Sequence, residues 1–279
     1  MKFALQMFPT DYAIPAHELA KAAEDLEFEA LFFPEHTHMP VEHTPFPGGT
    51  ELPLQYSHTL DPFSVIGACA AVTNTIKLGT GIALVIQRDP IMLAKEVASV
   101  DLLSDGRILL GIGGGWNLPE VENHGVKPST RWKVLRERVM AMKEIWANDV
   151  AEYHGAYVDF DPIWSWPKPV QKPHPPILVG GNGPRTFERV IEFGDEWMPT
   201  GIRNVEYLKQ RMAELRETAA GAGRAGEIPV SVFGSSPKPE DLAALREAGV
   251  SRAVLSMPSV AAPEALDRLK RYAETIRSL

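Results

Sequence analysis

The chain reads as an α/β protein of the closed (β/α)8 or TIM-barrel type, with insertion loops, for three reasons. Short β-branched or aromatic runs alternate with amphipathic runs along its length, the pattern of a parallel sheet covered by helices. Eight such pairs can be counted, without the mid-chain break that divides an open doubly wound sheet. The 279 residues suit a barrel that needs about 250 and leave some for insertions.

The elements follow in order. KFALQMF at 2–8 is the first strand and 16–27 the first amphipathic helix. ALFFP at 30–34 is the second strand, and its helix at 61–73 opens with Asp61-Pro62. IKLGTGIALV at 76–85 precedes a helix at 90–103 behind Asp89-Pro90, and RILLGI at 107–112 precedes one at 131–147. The later pairs are 176–180 with 185–193, 196–200 with 205–220, 228–233 with 239–248, and 252–257 with 263–278. Asp61-Pro62, Asp89-Pro90 and Lys238-Pro239 place proline at a first helical position, where its missing N–H costs little.

Two stretches break the rhythm. Residues 35–60, between the second strand and its helix, far exceed a usual βα loop and are expected to cover or line something. YHGAYVDFDPIWSWPKPVQKPHP at 153–175 is expected to run as an extended excursion across the barrel rim, with a packing or dimer arm as the alternative.

Composition narrows the partners. With 44% hydrophobic and 23% charged residues the chain can bury a large core, so a mainly disordered protein is excluded. A net charge of −8 and the lack of any basic run leave no electrostatic footprint for nucleic acid or an anionic membrane, so a small-molecule partner is expected. Cys69 is the one cysteine and lies in an apolar run, which implies a buried thiol. No apolar run approaches the length of a membrane span, and MKFALQMFPTD lacks a signal-peptide core. The expectation is one domain over 1–279 in the cytoplasm.

In such barrels ligands bind at the carboxyl ends of the strands. FFPEHTHMP at 32–40 places Glu35, His36 and His38 there, and a His-x-His pair raises the question of a metal. Two imidazoles leave a divalent cation half coordinated, and the other strand ends deliver Gly, Asn, Ser, Thr and Met rather than further ligands. No metal is expected. What the strand ends supply is glycine. VGGNGPR at 179–185 sets free N–H groups at a helix start, a usable phosphate cradle to which Arg185 adds a charge, although a tight strand-to-helix turn also explains it. GIGGGW at 111–116 admits the close approach of something planar or bulky, or is a turn.

Four longer stretches carry a resemblance: IKLGTGIAL at 76–84, DPIMLAKEVASVDLLSDGRILLGIGGGWNLPE at 89–120, HGVKPSTRWKVLRERVMAMKEIW at 124–146 and PKPVQKPHPPILVGGNGPRTFERVIEFGDEW at 167–197. From residue 1 to about 200 the chain resembles the bacterial luciferase-like monooxygenase superfamily. It looks most like the branch that uses the deazaflavin coenzyme F420, although FMN-dependent members carry nearly the same words. The resemblance implies a TIM barrel with insertions and a homodimer. It implies that Thr80, Gly81 and Ile82 lie in a bulge with a non-prolyl cis peptide at Gly81-Ile82 behind the tricyclic ring. Gly180, Gly181, Asn182 and Gly183, with Arg185, would hold the cofactor phosphate. Glu35, His36, Gly113 and Gly114 would face the ring or ribityl chain, and His36 would donate a hydrogen bond or proton during hydride transfer.

One departure bears on the substrate. Where the sugar-phosphate dehydrogenases of the superfamily use a glutamate after the fourth strand, Trp116 stands here, with Glu120 the nearest carboxylate. The acid-base partner is therefore expected to be missing, and a less polar substrate is favoured, with Trp116, Phe8, Phe33 and Met257 as its apolar wall and core packing as the alternative for the aromatics, Phe33 above all. Arg88, Arg131, Lys133 and Arg185 are the candidates for holding the polyglutamate tail of F420, with an ordinary solvated side chain as the alternative for each. The readings are a deazaflavin oxidoreductase, an FMN-dependent monooxygenase and a cofactor-binding protein without catalysis.

Overall fold

The computed structural model describes every residue of the chain except Thr50 and Arg203. Strand β1 (Lys2–Gln6) leads through α1 (Ala16–Asp25) to β2 (Ala30–Phe33), and a long loop carrying α2 (Gln55–His58) leads on to α3 (Pro62–Ala70). Next come β3 (Lys77–Ala83), α4 (Pro90–Leu103), β4 (Ile108–Ile112), α5 (Leu118–Asn123) and α6 (Arg131–Ala147). Strands β5 (Val150–His154) and β6 (Asp159–Trp164) precede β7 (Ile177–Gly180), α7 (Thr186–Phe193) and β8 (Glu196–Met198). The chain continues with α8 (Val205–Gly221), β9 (Ser231–Ser235), α9 (Pro239–Glu247), β10 (Arg252–Ser256) and α10 (Ala262–Arg277).

Eight of these strands form one parallel sheet in the order β8-β7-β4-β3-β2-β1-β10-β9. Its edges meet where Trp197 N–H donates to Pro229 O at 3.0 Å and Phe233 N–H to Pro199 O at 2.9 Å. Single bridges join Trp197 to Val230 and Thr200 to Phe233. The sheet is thus the expected barrel, closed along a short seam between β8 and β9.

Alternation along each strand divides the apolar residues into two sets. Ala4, Ala30, Phe32, Leu109, Leu178, Met198, Phe233 and Val254 fill the lumen, with Ile82 packed against them. Leu5, Leu31, Phe33, Leu78, Leu110, Val179 and Leu255 face outward into the larger core under the helices. At the amino end of the barrel Arg252 donates from Nε to Glu29 at 2.6 Å and from Nη1 to Glu196 at 2.7 Å, so the buried guanidinium is paired on both sides.

The expected helix starts form as read. Asp61 accepts from Ser64 N–H at 2.8 Å and Asp89 from Met92 N–H at 2.9 Å, each with proline in the first turn. Among the described residues no helix is long and apolar enough to cross a membrane.

The stretch at 153–175 departs from expectation. Its first part pairs as the antiparallel hairpin β5–β6, whose turn is pinned by the Glu137 carboxylate accepting from Tyr157 N–H at 2.6 Å and Val158 N–H at 3.0 Å. The continuation docks at the amino end of the barrel: Gln171 Nε2 donates to Asp101 at 2.7 Å and to the carbonyl of Ile108, the first residue of β4, at 2.9 Å. The excursion therefore lies on the face away from the carboxyl ends of the strands, and Trp164 remains 80% exposed.

Candidate functional site

At the carboxyl end of β3 the register with β4 slips between Thr80 and Ala83, and the Gly81-Ile82 peptide is cis. Small residues make room for this. A Cβ on Gly111 would land on the Thr80 carbonyl, and one on Gly81 would lie 2.5 Å from the Phe233 ring. Thr80 turns its hydroxyl to the neighbouring strand, donating to Gly111 O at 2.7 Å while fully buried, so its side chain is committed to the barrel wall. Ile82 lies across the mouth of the lumen. A Cβ on Gly113 would collide with its Cδ1, and one on Gly180 would lie 3.1 Å from its Cγ2. Gly114 is overlaid by Trp132, whose ring carbon would lie 2.6 Å from a Cβ there. The first things that Gly113 and Gly114 admit are thus side chains of the protein itself.

Glu35 has a different role from the expected one. Its carboxylate is buried and accepts from Leu84 N–H at 2.6 Å and from Arg88 Nε at 2.6 Å. With both oxygens engaged it anchors the turn after β3 rather than facing a ring. Arg88 also pairs with Glu96 at 2.9 Å and with Asp61, and lies over Phe63. Burial pulls Arg88 down, but the charges of Glu35 and Asp61 outweigh it and hold the guanidinium ionised. Burial likewise pushes the Glu35 carboxyl above its ordinary value against the opposing pull of Arg88 and Leu84 N–H. Arg88 is consequently spent on three carboxylates and is not a surface cation awaiting a ligand.

The next residue is paired with a carboxylate. His36 Nδ1 lies 2.8 Å from Glu120 Oε2, and the two side chains are only 7% and 1% exposed. A carboxylate at Glu120 can only accept, so Nδ1 is the donor of this pair and Nε2 is the nitrogen left outside it. Among the described residues nothing hydrogen-bonds Nε2, and Glu120 Oε1 is buried without a partner. This corrects the sequence reading: a carboxylate is present beside His36, delivered by α5 rather than by the position of Trp116. Its signal in the sequence was Glu120 itself, one turn further on.

Around the imidazole stands an aromatic group. Tyr56 lies 5.2 Å from His36, 4.6 Å from Phe8 and 6.1 Å from Trp116, and Phe46 lies 5.8 Å from Trp116. Tyr56 and Phe46 belong to the long loop at 35–60, which therefore does cover the strand ends. The loop is tied down by Thr44 N–H donating to Asn117 at 3.1 Å and Leu118 N–H donating to Thr44 Oγ1 at 3.0 Å. Trp116 and Phe8 take their expected places in this wall, while Phe33 and Met257 are buried in the core under the helices. His38 turns away: its Nε2 meets Asn123 Nδ2 at 2.9 Å, and its Nδ1 meets Thr37 Oγ1 at 2.9 Å.

The Gly-rich loop after β7 opens outward. Gly181 takes φ +123°, which favours glycine, and its carbonyl accepts from Trp197 Nε1 at 2.9 Å. Asn182 holds the loop through Nδ2 donating to Thr200 O at 2.7 Å. Among the described residues the backbone N–H groups of Asn182, Gly183 and Arg185 donate to nothing, and all three residues are exposed at the start of α7. Arg185 itself is paired only with Glu188, at 2.8 Å on the surface. An anion can be met here by backbone donors and the positive end of the helix.

Comparisons with known proteins agree with the barrel fold. A family model described as luciferase-like monooxygenase matches residues 10–278. An uncharacterized protein of Mycobacterium tuberculosis is 39% identical over 278 residues, 98% of each chain. The FMNH(2)-dependent dimethylsulfone monooxygenase of Pseudomonas putida is 31% identical over 147 residues, 52% of this chain and 40% of that one. The coenzyme F420-dependent tetrahydromethanopterin reductase of Methanopyrus kandleri has the same fold, with a TM-score of 0.77 at 18% identity over 98% of this chain and 97% of that one.

Proposed function

The chain belongs to the luciferase-like monooxygenase family, and from that premise we propose that it is an oxidoreductase moving a hydride between the deazaflavin coenzyme F420 and an organic substrate of low polarity. The observation that carries this reading is the buried His36–Glu120 pair at 2.8 Å inside an aromatic wall.

The residues present fit such a coenzyme. The free N–H groups of Asn182, Gly183 and Arg185 would hold its phosphate, and the Gly81-Ile82 bulge would back its ring. When bound, the coenzyme supplies or accepts the hydride. The chain manages the proton. Glu120 fixes the His36 tautomer and stabilises the imidazolium, so Nε2–H can donate to a substrate oxygen that gains negative charge on reduction. In the opposite direction the bare Nε2 takes the proton from a substrate hydroxyl. Tyr56, Phe46, Phe8 and Trp116 exclude water from that exchange and favour an uncharged substrate.

An FMN-dependent monooxygenase is the second reading, favoured by the 31% identity to the FMNH(2)-dependent enzyme. Parallel titration of the purified apoprotein with F420 and FMN decides between the two. Micromolar binding of F420 alone is expected, FMN alone would select the second reading, and binding of neither would overturn both. A His36→Ala variant that still binds coenzyme but loses turnover separates an enzyme from a carrier.

A further inference from the structure

Beside the Gly-rich loop lies a group of cations that the reading above leaves unused. Helix α6 starts with Arg131 and Trp132 on the rim where α7 also starts, and Trp132 lies over Gly114. The Arg189 guanidinium carbon stands 3.8 Å from the centroid of the Trp132 ring, and that of Arg131 stands 5.2 Å from it. Arg185 precedes Arg189 by one turn, so its charge acts beside the two guanidiniums that lie over the indole.

Their partners do not balance them. Arg185 has Glu188 at 2.8 Å. Arg131 donates from Nη1 to Pro128 O at 2.8 Å, and its Nε is buried without a partner. Arg189, among the described residues, has neither a hydrogen bond nor a carboxylate within ion-pair distance. Burial, then the charges of Arg185 and Arg131, pull its pKa down despite Glu188. In a chain of net charge −8 this is a local excess of positive charge, held together by an aromatic face rather than by anions. Such an arrangement becomes favourable when an anion enters it.

We infer that Arg131 and Arg189, with Arg185 beside them, form a second anion subsite on Trp132 that holds the carboxylates of an oligoglutamate chain continuing from the phosphate at the Gly-rich loop. The inference rests on the proposed coenzyme reading, because that loop sets where the chain begins. It replaces Arg88 by Arg189 among the cations expected to meet the tail. Planar guanidiniums fixed on an indole present paired donors to carboxylates at small entropic cost, unlike the exposed Lys133. A coenzyme that ends in a single phosphate would leave this subsite idle.

The test compares the purified protein with Arg131→Gln/Arg189→Gln, which keeps much of the apolar stem over Trp132, and with Arg189→Lys, which keeps the charge. Each is titrated at low salt with F420 bearing long and short glutamate tails, with the tailless phosphate form and with tetraglutamate alone. In the wild type the affinity is expected to rise roughly tenfold from the tailless to the long-tailed coenzyme and to lose that gain in high salt. The double variant should bind all forms equally, with the affinity for the tailless form unchanged, and Arg189→Lys should retain part of the gain. Absence of any tail-length gain in the wild type, or its persistence in the double variant, would overturn the subsite. If no form of the coenzyme binds, tetraglutamate decides. Binding to the wild type and not to the double variant keeps the subsite and removes the coenzyme reading, while its absence, or equal binding to both, removes the subsite as well.

Discussion

Replacing Arg88 by alanine removes one cation from three carboxylates, and the consequence is set by the most buried of them. Asp61 and Glu96 are 44% and 33% exposed in their side chains, so water replaces most of what they lose. Glu35 is 1% exposed and would keep only the Leu84 N–H. Stranding one member of a buried pair costs about 3–5 kcal/mol, which at this chain length corresponds to a melting temperature lower by about 6–10 °C. The loss depends on pH with a definite sign. Burial already pushes the Glu35 carboxyl up, and without Arg88 it rises further. The folded variant then binds a proton that the unfolded chain has released, so its stability is present at low pH and is lost as pH rises through the folded-state pKa. Thermal melts of wild type, Arg88→Ala, Glu35→Gln and the double variant at pH 5.5 and pH 8 check this. The deficit of Arg88→Ala should be larger at pH 8, and Glu35→Gln placed in that background should restore about half of it. A deficit below about 1 kcal/mol at pH 8, an equal deficit at both pH values, or no rescue by Glu35→Gln would show that Arg88 does not neutralise a buried Glu35 charge.

Three further outcomes follow from particular contacts. Glu120→Gln leaves a hydrogen-bonding neighbour at His36 but removes the charge opposite the imidazolium, so kcat should fall about 10- to 100-fold while the coenzyme dissociation constant stays unchanged; equal turnover would remove Glu120 from the proton path. Gly111→Ala should not yield a native-like barrel, because its Cβ would land on a backbone carbonyl, whereas Gly113→Ala meets only the tip of Ile82 and should fold with a modest loss, as circular dichroism melts of both would show. Burial pushes the Glu29 carboxyl up, but Arg252 and Lys77 outweigh it and leave its pKa at about 2, below the 4.5 of an ordinary glutamate. The stability that Glu29 contributes, on the order of 3 kcal/mol, is therefore present above pH 4.5 and disappears as pH falls toward 2, so a gap between wild type and Glu29→Gln that stays constant over that range would contradict it.

The barrel was legible because its evidence is local. Each strand and helix is a periodic run bounded by glycine, proline or a capping aspartate, and those signals act within a few residues of where they stand. The hairpin β5–β6 was not legible, because its short alternating runs are interrupted by Pro162 and its turn is fixed by Glu137, a residue of the preceding helix. Glycine positions such as Gly81, Gly111 and Gly181 were visible as candidates for close approach, and each does meet backbone or rings that a side chain would strike or takes a conformation that favours glycine.

The residue pattern was enough to lay out the eight strands and outer helices of the barrel, the end where ligands bind in such folds, and His36 as the residue to watch. Which groups share an environment became visible once the chain was folded. Glu120 reaches His36 across 84 positions, Arg88 reaches Glu35 across 53, and Arg189 meets Trp132 from a different helix. The physical reason is that periodicity encodes which face of an element is buried, whereas charge pairing depends on distance in space, and that distance is set only when the barrel closes.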